Sequence, residues 1–90
     1  MFDEEYEKLD KRYERLDEIG NRVSKQMVGS YKVIFNLSIE YISITISNDN
    51  TETYIGRLPI SILRLSNKSV VNLILEVLKM KGWDIHSFIF

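Results

Sequence analysis

The sequence contains no cysteine and no alanine, a single proline, a single histidine and only four glycines. Without cysteine there is no disulfide framework, no thiol nucleophile and no thiolate ligand for a metal ion. The glycines are scattered, so the chain has no glycine-rich phosphate loop. No apolar run reaches the roughly 18 residues of a membrane span, and the acidic N-terminus is unlike a basic signal peptide. We therefore expect a cytoplasmic protein that does not associate with membranes.

The composition is that of a small folded protein. Of the 90 residues, 44% are hydrophobic and 28% are charged, which predicts a single domain over residues 1–90. The net charge of −1 argues against a general binder of nucleic acids. The absence of alanine, together with abundant Ile, Asn, Lys, Ser and Tyr, suggests an AT-rich genome, as in low-GC bacteria and their mobile elements.

Residues 1–28 have the spacing of an amphipathic helix. Large apolar residues recur every seven positions in two interleaved series, Phe2, Leu9, Leu16 and Val23 with Tyr6, Tyr13, Gly20 and Met27. We call this face the apolar seam. Gly20-Asn21 predicts a stop, because glycine inside a helix costs roughly 1 kcal/mol relative to alanine, after which residues 22–27 can resume the helix.

The rest of the chain predicts a β-meander over residues 31–58, a helix over residues 66–82 and a final strand over residues 83–90. The strand phase changes near Ser38–Tyr41, and Asn48–Asn50 has turn composition. The predicted fold is a two-layer α+β sandwich of order α-β-β-β-α-β. Two helices cover the apolar face of an antiparallel-rich sheet, whose other face is polar, and the N-terminal helix either docks on that sheet or projects from it.

No group of residues has the spacing of a catalytic or metal site. His86 and Asp84 would share one side of a strand, but the sequence offers them no nucleophile or oxyanion donor. The segment Asn48–Glu52 supplies oxygen ligands, yet a calcium loop would need glycine and glutamate where the chain has Thr53 and Pro59. We therefore predict no enzyme activity, cofactor or metal.

Charges on the N-terminal helix separate onto two flanks of the seam. One flank, the acidic ridge, consists of Asp3, Glu7, Asp10, Glu14 and Asp17, and the other carries Lys8, Arg12, Arg15 and Arg22. In a parallel helix pair Arg12 would face Asp17 of its mate, whereas antiparallel pairing would oppose the acidic residues of the two helices. The charge pattern therefore favours parallel pairing, or docking on a partner with a complementary edge.

The separated charges and aromatic seam predict a non-catalytic protein-binding module. Among such modules we favour a small accessory or inhibitor protein of a phage or mobile element, which binds and blocks a host protein through its N-terminal helix. The predicted contact residues are Phe2, Tyr6, Leu9, Tyr13 and Leu16, flanked by the acidic ridge. One alternative is a structural protein that forms homodimers or larger oligomers through residues 2–27. Another is a nucleic-acid-associated regulator or an acidic DNA mimic, and the adjacent basic flank disfavours the mimic.

Overall fold

The computed structural model describes the backbone of residues 2–88 and the side chains of residues 11–88. The elements in chain order are α1 (Phe2–Gln26), β1 (Lys32–Leu37), β2 (Tyr41–Ser47), β3 (Glu52–Pro59), a 3-10 helix (Ile60–Arg64) and α2 (Asn67–Met80). The predicted α+β class is confirmed, with the order α-β-β-β-α over the described residues. The short 3-10 helix occupies a segment whose sequence pattern is ambiguous.

The sheet is open and antiparallel, with strand order β1-β2-β3. The predicted turn between β1 and β2 is confirmed, since the Ser38 amide donates to the Tyr41 carbonyl at 2.8 Å. The turn between β2 and β3 is held by Asn48, whose Oδ1 accepts from the Thr51 amide at 3.2 Å and its hydroxyl at 2.8 Å. The side chain of Asn48 is therefore used to close the turn, as Asx turns require.

Both helices lie on the apolar face of the sheet and form one core with it. The buried residues are Val33, Phe35, Ile42, Ile44, Ile46 and Ile55 from the strands, Leu16, Ile19 and Val23 from α1, Met27 just after it, Ile62 from the 3-10 helix, and Val70, Val71, Ile74, Leu75 and Leu78 from α2. On the other face, the intervening β2 residues Ser43, Thr45 and Ser47 remain partly exposed. This alternation confirms the prediction of one apolar face and one polar face.

Gly20 does not end the first helix, so the predicted stop is wrong. The helix continues through Gly20 to Gln26, and Gly20 itself is buried against β1. A Cβ atom at this position would lie 3.2 Å from the Val33 carbonyl oxygen and 3.2 Å from the Phe35 ring. Glycine is present here because it lets the helix approach the strand closely, and this packing outweighs its poor helix propensity.

A β-bulge interrupts the pairing of β3 with β2. Ile44 lies opposite Gly56 and Thr45 lies opposite Tyr54, so Ile55 is the extra residue. Gly56 has a φ angle of +154°, which residues with side chains rarely adopt. The bulge turns Ile55 into the core, where the side chain is 4% exposed.

The second helix spans Asn67–Met80, within the predicted residues 66–82. Ser66 caps its start, because the Ser66 Oγ accepts from the amide of Ser69 at 3.2 Å. The helix is followed by Gly82 at a φ angle of +92°, the left-handed conformation in which glycine is favoured after a helix. Leu75, which lies outside the predicted apolar face, is also buried.

The predicted C-terminal strand does not form over residues 83–88. Within this segment Ile85 makes one isolated antiparallel bridge, with Met27, and the His86 amide donates to the Gln26 carbonyl at 2.6 Å. The Trp83 ring packs edge-on against Tyr31 with centroids 5.2 Å apart. The segment therefore docks on the end of α1 and does not join the sheet, and residues 89 and 90 of the predicted strand lie outside the described residues.

Candidate functional site

The burial of α1 changes abruptly along its length. From Leu16 onward, Leu16, Ile19 and Val23 are each no more than 1% exposed and anchor the helix to the core. Before this point Lys11–Glu14 are all exposed, including Tyr13, whose side chain is 42% exposed. The helical backbone nevertheless begins at Phe2, so about 21 Å of helix precedes Leu16.

The predicted contact residues fall into three groups in the structure. Tyr13, Glu14 and Asp17 are exposed and accessible to a partner. Leu16 is only 1% exposed, so its assignment as a partner contact is corrected, and its role is to anchor α1 to its own domain. The remaining residues lie on the helical backbone of α1 with side chains outside the described part, namely Phe2, Asp3, Tyr6, Glu7, Leu9 and Asp10.

Two arginines of the basic flank are engaged within the domain. Arg15 donates to the Leu63 and Leu65 carbonyls at 2.5 Å each and to Asn67 Oδ1 at 2.6 Å. Arg22 forms an ion pair with Glu18 at 2.8 Å. Arg15 thus ties α1 to the segment between the 3-10 helix and α2, a role that no sequence spacing signals because its acceptors lie 48 to 52 residues away.

The polar face of the sheet forms a second exposed surface. Tyr54 is 62% exposed and lies opposite Thr45, while the Arg57 guanidinium stacks 4.3 Å from the centre of the Tyr41 ring. Lys32 and Glu52 add one charge of each sign along the same face. This mixture of hydroxyls, aromatic rings and balanced charge provides no uniform field for a charged ligand.

The residues considered for catalysis and metal binding do not form a site. His86 and Asp84 are both exposed, and neither side chain is hydrogen bonded to the other within residues 11–88. No cluster of three or more histidine, aspartate or glutamate residues is positioned to hold a metal ion in that part of the chain. None of the helices of residues 2–88 combines the length and apolarity needed to cross a bilayer.

These features define a small α+β domain in which α1 changes from exposed at Lys11–Glu14 to buried at Leu16. Comparison with protein-family models, with curated proteins and with solved structures found no significant match.

Proposed function

We propose that this chain is a non-catalytic protein-binding module that docks on another protein through the N-terminal half of α1. The main support is the change in burial at Leu16, which is inside the core, while Lys11–Glu14 are exposed. Both halves carry the same heptad spacing of large apolar residues. Tyr13 belongs to that spacing yet lies outside the core, so the core does not explain the spacing at this position, and a partner would.

The residues before Leu16 suit a binding surface in composition. Tyr13 presents an aromatic ring at the point where burial ends, and exposed Glu14 lies beside it. Aromatic anchors surrounded by charged residues are the usual arrangement of residues that dominate binding energy. The charged flanks set the orientation of the partner more than the affinity, because each exposed ion pair contributes only about 0.2–1 kcal/mol.

Within this class we propose a small accessory or inhibitor protein of a phage or mobile element that blocks a host protein. The support for that origin is composition, namely the absence of alanine and the abundance of residues with AT-rich codons. A module of this kind needs no cofactor, and its action is occupation of a surface that the target uses for another partner.

The proposal is tested by placing a photo-crosslinking phenylalanine analogue at Tyr13 or at Tyr54 in the intact chain. Both tyrosines are exposed, but Tyr54 lies on the polar sheet face and serves as the matched control. After irradiation in the cell of origin, we expect an adduct of one defined larger mass from position 13 and none from position 54. Circular dichroism of both variants establishes that each is folded.

Two outcomes would contradict this proposal. An adduct of twice the chain mass would show a second copy on the helix and support the homo-oligomeric alternative. The absence of any adduct from position 13, or an adduct from position 54 alone, would place binding away from α1.

A further inference from the structure

An open cleft lies at the end of the domain where α1 leaves the core. Its volume is about 470 Å³, and it is lined by three arginines, three apolar residues and one serine, namely Arg12, Arg15, Arg64, Ile39, Ile60, Leu63 and Ser61. These residues come from α1, from the turn between β1 and β2, and from the 3-10 helix. Three elements that are distant in sequence thus place three arginine side chains beside a small apolar surface.

Among residues 11–88, no carboxylate forms an ion pair with the three arginines of the cleft. Arg15 donates only to neutral acceptors, the two carbonyls and the amide oxygen described above. Arg12 and Arg64 are exposed and make no hydrogen bond or ion pair with any side chain of residues 11–88. Glu40 is hydrogen bonded at this end of the domain through its backbone carbonyl, which accepts from the Ile60 amide at 2.9 Å. Glu40 is not among the residues that line the cleft. Three like charges around one cleft favour an anionic ligand.

The walls of the cleft favour a ligand that also has an apolar part. Ile39 is 94% exposed at the tip of its turn, and Ile60 and Leu63 are partly buried beside it. Inorganic phosphate would leave this apolar surface uncovered. A nucleic acid would bring a long row of phosphates past the exposed carboxylates of Glu14 and Asp17 on the same helix, which would repel them.

We propose that this cleft binds an acidic segment of a partner protein. Two carboxylates of the segment pair with the guanidinium groups of Arg12 and Arg64. A planar guanidinium group can donate two parallel hydrogen bonds to one carboxylate. An apolar side chain between them covers Ile39, Ile60 and Leu63. Arg15 holds the wall of the cleft and adds its positive charge, because three of its five N–H donors are already engaged within the domain. This inference rests on the proposed function in taking a protein as the partner.

The test is a selection of peptides from a random display library on the immobilised full chain. We expect the enriched peptides to share two acidic residues flanking a large apolar residue. For the enriched peptide, Arg12→Glu and Arg64→Glu should each raise the dissociation constant about tenfold, and added salt should weaken binding. Lys81→Glu, the same charge change at an exposed site beyond α2, should leave the dissociation constant unchanged.

A charge exchange gives an independent check of direct contact. A peptide in which lysines replace the acidic residues should bind the Arg12→Glu, Arg64→Glu double variant more tightly than the wild type. Enrichment of peptides without acidic residues, or equal binding to the wild type and the double variant, would overturn the inference. Complete displacement of the peptide by inorganic phosphate would also overturn it, since a simple anion site would then suffice.

Failure of this inference differs from failure of the proposed function. If position 13 crosslinks to a partner that binds the double variant as tightly as the wild type, only the acidic cleft is excluded. If acidic peptides are selected and position 13 gives no adduct, the cleft stands and the helix surface is excluded.

Discussion

Gly20 of α1 packs directly against the backbone of Val33 in β1. A Cβ atom at Gly20 would lie 3.2 Å from the carbonyl oxygen of Val33, nearer than side-chain atoms usually come to backbone. Because Gly20 has no side chain, α1 lies close to β1, and this spacing determines how Leu16, Ile19 and Val23 pack in the core.

Replacing Gly20 tests this contact directly. At an exposed helix position glycine to alanine stabilises by about 1 kcal/mol, but here the added methyl group meets backbone and the Phe35 ring. We expect Gly20→Ala to gain none of that free energy of unfolding in urea, and Gly20→Val to lose about 1–3 kcal/mol through overpacking. Asn21→Ala, at the exposed neighbouring helix position, is the control and should stabilise slightly. A full gain from Gly20→Ala would show that the helix is not held so close.

Arg15 should contribute more to stability than its position on a charged helix flank implies. Its guanidinium bridges α1 to two carbonyls and to Asn67, so Arg15→Met leaves these acceptors unpaired. We expect a loss of about 1–3 kcal/mol in thermal or urea unfolding. Arg15→Lys should recover little of it, since an ammonium group cannot reach three acceptors in a plane. Exposed Arg12, changed to Met, should alter stability by less than about 0.5 kcal/mol, and equal effects at both positions would contradict this account.

The N-terminal cap of α2 depends on Ser66. Its hydroxyl accepts the Ser69 amide, so Ser66→Ala should lower the free energy of unfolding by about 1 kcal/mol. Ser61 is exposed and makes no side-chain hydrogen bond within residues 11–88, which makes Ser61→Ala the matched control. A loss as large for Ser61→Ala as for Ser66→Ala would show that the cap has no special role.

The two halves of α1 should differ in amide hydrogen exchange. Residues 16–26 are backed by the core, whereas the exposed residues Lys11–Glu14 can open without breaking core contacts of their own side chains. We expect markedly slower exchange after Leu16 than before it, measured by nuclear magnetic resonance on dilute protein. Equal protection of both halves at a concentration where the chain is monomeric would contradict the proposed difference. Protection of the first half that rises with concentration would indicate a second copy on the helix.

Periodicity in the sequence was sufficient to predict the architecture. Sevenfold spacing indicated α1, alternation indicated the strands, and the phase change at Ser38–Tyr41 correctly divided β1 from β2. These features are local, because each depends on which side of one element a residue faces.

Features that depend on contacts between distant elements could not be predicted in this way. Propensity suggested a break at Gly20, whereas the close approach of β1 explains the glycine. In the sequence Arg15 lies on the basic flank of α1. Its hydrogen-bond acceptors become its neighbours only when the 3-10 helix folds against α1. The sequence of residues 83–90 has the pattern of a strand. Over residues 83–88, however, only Ile85 forms a β-bridge, because this segment lies beside the end of α1.

The bulge in β3 has a consequence for behaviour at high concentration. A flat edge strand offers an unbroken row of amides and carbonyls to other chains, and such rows seed aggregates. In β3 the extra residue Ile55 and the turn of backbone at Gly56 interrupt that row, and Pro59 supplies no amide hydrogen at its end. The proposed inhibitor role requires the protein to match the abundance of its target. We expect the interrupted row to make the β3 edge a poor template for pairing with another chain at such concentrations.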